Sequence, residues 1–329
     1  MLRLLLCLTL LLAGCAGEPP PSAGFALISP GAAASLRNAP PSPARDAVLR
    51  AAVRELERAP RPVTRVPDAE ALAGFRAARD LALAARLTGE PRYAAAAARL
   101  LAPWVLEYQP NYSPPDETGF DALFIAWDLL PEDQRAPLAA PMSRLLRRFA
   151  QGYLGRPPQG SAAASNGNSQ RVKLIALSAW ALGNGDLIRR ARAAFAAHLE
   201  DAIRPDGSPF DFAMRDSVEQ AVVSLEPLAL TALAAQQHGE TWMLYADRAL
   251  PRALAWLEPY AAGRRGHEEF ADTELPFDRT RRDAGAPGYS GPFNPAHARL
   301  TMAYAARLDR SFPRTAPPED QAWLAVVLP

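Results

Sequence analysis

The chain has 329 residues, 49% of them hydrophobic, with 36 basic and 35 acidic side chains and a formal net charge of +1. That is enough for one large packed domain or two smaller ones, and the charge balance leaves no general basic field of the kind that collects nucleic acid. The two cysteines and four histidines show no metal-ligand spacing, and no phosphate loop, dinucleotide fingerprint or Gly-x-Ser-x-Gly elbow occurs, so neither a metal nor a cofactor is expected.

The first residues, Met1-Leu2-Arg3, lead into an apolar run from Leu4 to Leu12 and then Leu12-Ala13-Gly14-Cys15. A short cationic start, an apolar stretch too short to span a bilayer and a small-residue site before cysteine read as a lipoprotein signal over residues 1–14. Cys15 is then the lipidated residue, and Ala16 beside it favours outer-membrane retention on the periplasmic side. Cys7 leaves with the signal, so the folded part is expected to hold no disulfide. From Glu18 to Pro43 the chain is rich in Pro, Ala, Gly and Ser, and residues 15–43 are read as a tether, with the membrane reached through the lipid alone.

Beyond it, apolar residues recur at helical spacing over 44–59, 69–87, 92–108, 119–130, 131–154, 169–182, 186–203, 216–237, 241–260 and 296–308. No segment alternates as a half-buried strand does. Thr88-Gly89-Glu90-Pro91, Gly183-Asn184-Gly185-Asp186 and His238-Gly239-Glu240-Thr241 each stop one helix with glycine and open another with an acidic residue or proline. One junction used three times predicts an all-α stack of helical hairpins, either an open solenoid or a closed (α/α) toroid, over 44–329. Long irregular pieces at 109–118, 156–168, 204–213 and 263–295 are the expected binding loops.

The polar residues gather in two helix starts. The first reads Asn166-Gly167-Asn168-Ser169-Gln170-Arg171-Val172-Lys173 and the second Arg215-Asp216-Ser217-Val218-Glu219-Gln220, with Leu225-Glu226-Pro227-Leu228 further on. Between them lies Pro205-Asp206-Gly207-Ser208 with Asp211-Phe212, and later come His267-Glu268-Glu269-Phe270, Pro276-Phe277-Asp278-Arg279 and Pro292-Phe293-Asn294-Pro295. Together these motifs resemble the alginate lyase family of helical polysaccharide lyases. The resemblance implies the toroid, an acidic polysaccharide as partner, and β-elimination at a uronate without a cofactor. It breaks where Gln170 stands for the family's His and Glu219-Gln220 for its His-Tyr.

A uronate lyase neutralises the sugar carboxylate, takes the neighbouring proton and protonates the departing oxygen. The resemblance assigns carboxylate binding to Asn166, Gln170, Arg171 and Arg215. Gln170, one turn beyond Asn166, can donate to a carboxylate but cannot carry a proton. The plainer readings are that Asn166 caps a helix and that Arg215 and Glu219 form an ion pair at i and i+4. With the usual His and Tyr absent, the candidate proton carriers are Glu219, His267 and a loop tyrosine, Tyr289 or Tyr112. His198, His238 and His297 are read as surface residues. Two rival functions stay open: a polyuronate-binding protein without catalysis, and a glycosidase using a carboxylate pair such as Asp211 and Asp216.

Overall fold

The structure, a computed structural model, describes residues 24–329. In chain order the helices are α1 (Pro30–Ser35), α2 (Pro43–Glu55), α3 (Ala69–Thr88), α4 (Pro91–Glu107), α5 (Pro114–Glu117), α6 (Phe120–Leu129), α7 (Glu132–Arg135) and α8 (Ala139–Leu154). They continue with α9 (Asn166–Ala181), α10 (Gly185–Ala202), α11 (Phe210–Arg215), α12 (Val218–Gln237), α13 (Tyr245–Ala261), α14 (Pro276–Asp283), α15 (Arg299–Leu308) and α16 (Trp323–Val327). Among the described residues there is no strand, only two isolated bridges.

The helices form an all-α toroid in two layers. α3, α6, α9, α12 and α15 neighbour one another in that order as the inner layer, and α2, α4, α8, α10 and α13 pack outside them. Small side chains allow the close approach: on α3, Ala78, Ala82 and Ala84 are fully buried, as are Ala229, Ala234 and Ala235 on α12. Val218–Gln237 is long and apolar enough to cross a membrane, yet most of its apolar window is buried inside the protein. Its greasiness is that of a core helix. Larger gaps between layers are filled by aromatics, as where Phe75, Trp104 and Phe120 meet at 4.9–6.2 Å.

The inner helices α3, α6, α9 and α12 each lead into an outer one through a short connection. Gly89 ends α3 in a left-handed conformation, φ 70°, and its N–H closes the helix on the Ala85 carbonyl at 2.7 Å. Asn184 caps α10 by accepting from the Leu187 N–H at 3.0 Å. The return connections, from outer to inner helices, are the long ones. All inner helices therefore start at one end, the loop-bearing mouth, and finish at the other, the base.

The base corrects one sequence expectation. Of residues 24–43, expected as tether, the part from Gly24 to Leu36 packs on the domain: Ala26, Leu27 and Ile28 are at most 2% exposed, Ala33 is fully buried and Leu36 is 7% exposed. Their backbone N–H groups donate to the Asp128 carboxylate at the end of α6, at 2.9, 2.8 and 2.9 Å. Phe25 stacks on His238 at 3.9 Å, His238 on Trp180 at 4.7 Å, and the His238 Nε2 meets the Phe25 carbonyl at 3.0 Å. Four apolar residues, Phe25 to Ile28, sit inside the Pro- and Ser-rich stretch and supply the burial that its average composition hides. The expected signal over 1–14, the Cys15 site and the tether's first residues lie outside the described residues.

Candidate active site

Asn166 opens α9 and its Nδ2 donates to the side-chain oxygen of Gln220, 3.0 Å away on the first turn of α12. Arg215, the last residue of α11, donates Nη1 to that same oxygen at 2.6 Å. Its other two donors, Nε and Nη2, grip the Asp278 carboxylate at 2.8 and 2.7 Å. Asp278 is fully buried, and the Phe270 ring lies 5.7 Å from the guanidinium carbon. Burial alone would lower the Arg215 pKa; the Asp278 carboxylate outweighs it and holds the guanidinium above its ordinary value. A planar guanidinium locked on two edges has one orientation, so its Nη1 is aimed rather than mobile.

Arg215 and Glu219 do not pair along one helix. Asp216 takes a left-handed backbone, φ 48°, and breaks the expected continuous helix into α11 and α12. Helix α12 starts afresh with Ser217, whose hydroxyl accepts from the Gln220 N–H at 3.1 Å. The buried Glu269 carboxylate takes the Ser217 hydroxyl and the Val218 N–H, the latter at 3.1 Å. Glu219 turns instead toward the start of α15, where its Oε2 lies 2.5 Å from the Nδ1 of His297.

Deeper along α9, the Gln170 oxygen accepts from the Thr118 hydroxyl, and its amide nitrogen reaches the Val223 carbonyl at 3.4 Å. Lys173 donates to the Thr118 carbonyl, the Thr118 hydroxyl and Asp121 at 2.9, 2.9 and 2.7 Å. An ammonium has three hydrogens, and all three are engaged. Thr118 is held from behind by the buried Glu117, which takes the hydroxyls of Tyr108, at 2.8 Å, and Tyr153, and the Asn111 N–H at 2.7 Å. Two turns below Glu219 on α12 stands Glu226, which burial pushes up to about 7 with Lys173 opposing the shift.

Not all the nominated residues meet here. Arg171 is 7% exposed and faces away from Gln170, donating to the Tyr153 carbonyl and to Asn168, each at 3.0 Å; it ties α8 to α9. A residue directly after Gln170 is rotated by about 100° around the helix, which is enough to remove it from the shared face. His267 holds the Asp216 carbonyl at 3.0 Å through Nε2 and is wrapped by Phe212 and Tyr260 at 5.3 and 6.3 Å. It braces the break between α11 and α12. Tyr289 lies 5.0 Å from the Phe270 ring, on which Arg215 also rests. Tyr112 packs edge-on against Tyr153 at 5.4 Å, with the Arg156 guanidinium 4.0 Å from its centre.

Two histidines read as surface residues are not. His198 is 1% exposed, between Asn168, Ser169 and the Ala163 carbonyl at 3.1, 2.8 and 2.8 Å, and burial pushes it down to about 4, so it is neutral. His238 belongs to the base. The two aspartates proposed as a glycosidase pair are both occupied: Asp211 accepts the Ser224 hydroxyl at 2.6 Å, and Asp216 accepts the Asp272 N–H at 2.7 Å.

Residues 32–267 match the family model described as alginate lyase. The chain belongs to the alginate lyase family. Its fold is similar to that of an alginate lyase from Bacteroides ovatus, with TM-score 0.66 and 15% identity over 93% of this chain and 99% of that one. Alginate lyase A1-III from Sphingomonas species A1 aligns with TM-score 0.56 and 16% identity over 88% of this chain and 91% of that one. A variant of A1-III complexed with a tetrasaccharide aligns with TM-score 0.59 and 17% identity over 93% and 96% of the two chains. No curated protein sequence matches the chain.

Within an alginate lyase family member, the site residues that sequence reasoning left without a role are Gln220, Asp278, Thr118 and His297. Gln220 departs from the family pattern, and its amide oxygen is where α9 and α11 meet α12. Asp278 stands in the motif Pro276-Phe277-Asp278-Arg279, but 63 positions from its partner Arg215. Nothing in the local spacing of either residue signals that pairing.

Proposed function

We propose that the chain is a polysaccharide lyase that cleaves a polyuronate by β-elimination, as the names of its structural relatives suggest for them. One observation carries this reading: Asn166 and Arg215, from different helices, aim their donors at a single oxygen at the mouth of the toroid. An incoming uronate carboxylate replaces the Gln220 amide as acceptor, exchanging a neutral oxygen for a charged one. Asn166 and Arg215 then stabilise the negative charge that builds on the carboxylate as the adjacent C5–H is removed. Because they touch the carboxylate before and during the reaction, they serve both binding and turnover.

The test is the purified full-length protein in detergent against alginate, glucuronan and related polymers. Ultraviolet-absorbing unsaturated ends are the expected product. Reducing ends without that absorbance would mean hydrolysis and sink the lyase reading. One observation favours a purely binding protein: Gln170 and Gln220 are amides, unable to shuttle protons. Tight polymer retention with no product from any polymer would establish that alternative.

We also propose that Cys15 carries lipid and holds the domain in the periplasm, at the outer membrane, on the strength of the Leu12–Cys15 site. Membrane fractionation of Cys15→Ser tests it. Normal processing with unchanged membrane association would refute lipidation.

A further inference from the structure

We infer that His297 and Glu219 form the proton-transfer pair of this enzyme, with the His297 imidazole as the base and Glu219 orienting it. The inference rests on the lyase reading above and names the groups that reading leaves unassigned.

Of the four histidines, three are packed among other side chains, His267 with 16% of its side chain exposed against 52% for His297. His198 contacts Asn168 and Ser169 through its two nitrogens, His238 is stacked between Phe25 and Trp180 at the base, and His267 binds Asp216. His297 is different. Its Nδ1 lies 2.5 Å from Glu219, and Nε2 makes no hydrogen bond to the described residues. A carboxylate only accepts, so the Nδ1 must carry the hydrogen, and Nε2 is left with its lone pair free. A ring so held presents a base at a fixed place.

That place is at the same end of the toroid as the carboxylate site, beside the first turn of α12. Glu219 and Gln220 are consecutive on the first turn of α12, with Gln220 turned to Asn166 and Arg215 and Glu219 turned to the start of α15. In a uronate the reacting C5 is bonded directly to the carboxylate carbon, so the base has to stand within a few ångströms of the carboxylate donors. Helix α12 sets both from one backbone turn. The side chains of His297 and Glu219 are 52% and 37% exposed, so the pair is open to a polymer, and a polar contact so exposed contributes little to folding.

Nε2 takes the C5 proton, the C5–H electrons become the C4–C5 double bond, and the C4–O bond breaks with its electrons going to the departing oxygen. The imidazolium returns the proton to that oxygen, so no proton is gained or lost overall, and Glu219 stabilises the imidazolium meanwhile.

The experiment compares His297→Ala, Glu219→Gln and the unsubstituted enzyme on the best polyuronate, reading unsaturated product, polymer binding and melting temperature. His297→Ala is expected to lower kcat about 10²–10⁴-fold with KM and melting temperature unchanged, and added imidazole is expected to restore part of the rate. Glu219→Gln, which keeps the shape but not the charge, is expected to lower kcat about 10-fold or more by weakening the hold on Nδ1–H. If the unsubstituted enzyme is active and His297→Ala keeps its kcat, the pair is not the base and the lyase reading stands. A loss in His297→Ala that imidazole does not relieve, accompanied by a fallen melting temperature, likewise overturns it. If the unsubstituted protein yields no unsaturated product from any polymer, both readings fall together.

Discussion

The two ends of the toroid are built from the same helices and solve opposite problems. At the base, short glycine-capped junctions and the buried segment Phe25–Ile28 satisfy polar groups with backbone. Asp128 takes three N–H groups, and Arg86 donates to the Leu129 and Leu130 carbonyls at 2.6 and 2.7 Å. At the mouth, the groups around the site also satisfy one another through side chains: Arg215 with Asp278 and Gln220, Lys173 with Asp121 and the Thr118 hydroxyl, Glu219 with His297. Backbone anchors fix a chain permanently, whereas contacts between side chains leave donors that a ligand can capture. Base residues should therefore act on stability alone and mouth residues on turnover.

The largest effect belongs to Arg215, where the two roles meet. Arg215→Ala removes the carboxylate donor and leaves the buried Asp278 without its cation, so turnover is expected to fall about 10³-fold and stability by about 3–5 kcal/mol. Product assays with chemical denaturation read both. Next is Asp128→Ala, which strips the acceptor from three backbone N–H groups and should cost about 2–4 kcal/mol. Its specific activity should match the unsubstituted protein wherever it remains folded. A large loss of kcat in folded Asp128→Ala would break the division between the two ends.

Gln220→Glu sharpens the comparison from the mouth side. It places a permanent carboxylate on Asn166 and Arg215, in competition with substrate, and should raise KM about 10-fold or more with little change in melting temperature. The remaining effect is that of pH. Burial pushes both Asp128 and Glu226 up to about 7, against the backbone N–H groups at one and Lys173 at the other. Folding favours the protonated form of such an acid, so its contribution is complete below the ordinary carboxylate range and is lost as pH rises through about 7. Melting temperature should decline from roughly pH 5 to roughly pH 8, and Glu226→Gln should flatten its share of that slope.

Most of the helical framework is legible in the sequence, because glycine with a following acidic residue or proline marks the base junctions in purely local terms. The break at Asp216 is not, since a left-handed aspartate looks like any helical aspartate until Glu269 and His267 fasten it from a distance. Asn166 and Arg215 are readable as a pair only through the family pattern. Arg171 misleads for the opposite reason: it lies in the motif, but its face of α9 belongs to the packing with α8. The burial of residues 24–28 is hidden by the prolines and serines around them, because individual apolar side chains, not average composition, decide burial.

That segment has one more consequence. Gly24 is pressed against the Trp180 carbonyl, so close that an added Cβ would stand 2.0 Å from the oxygen, and this fixes where the chain enters the domain. The point of entry is the pole opposite the mouth. Cys15 precedes Gly24 by only nine positions, a reach of at most about 30 Å. If lipid holds Cys15, the base is moored and the mouth faces outward, toward polymer arriving from the surrounding fluid rather than toward the bilayer.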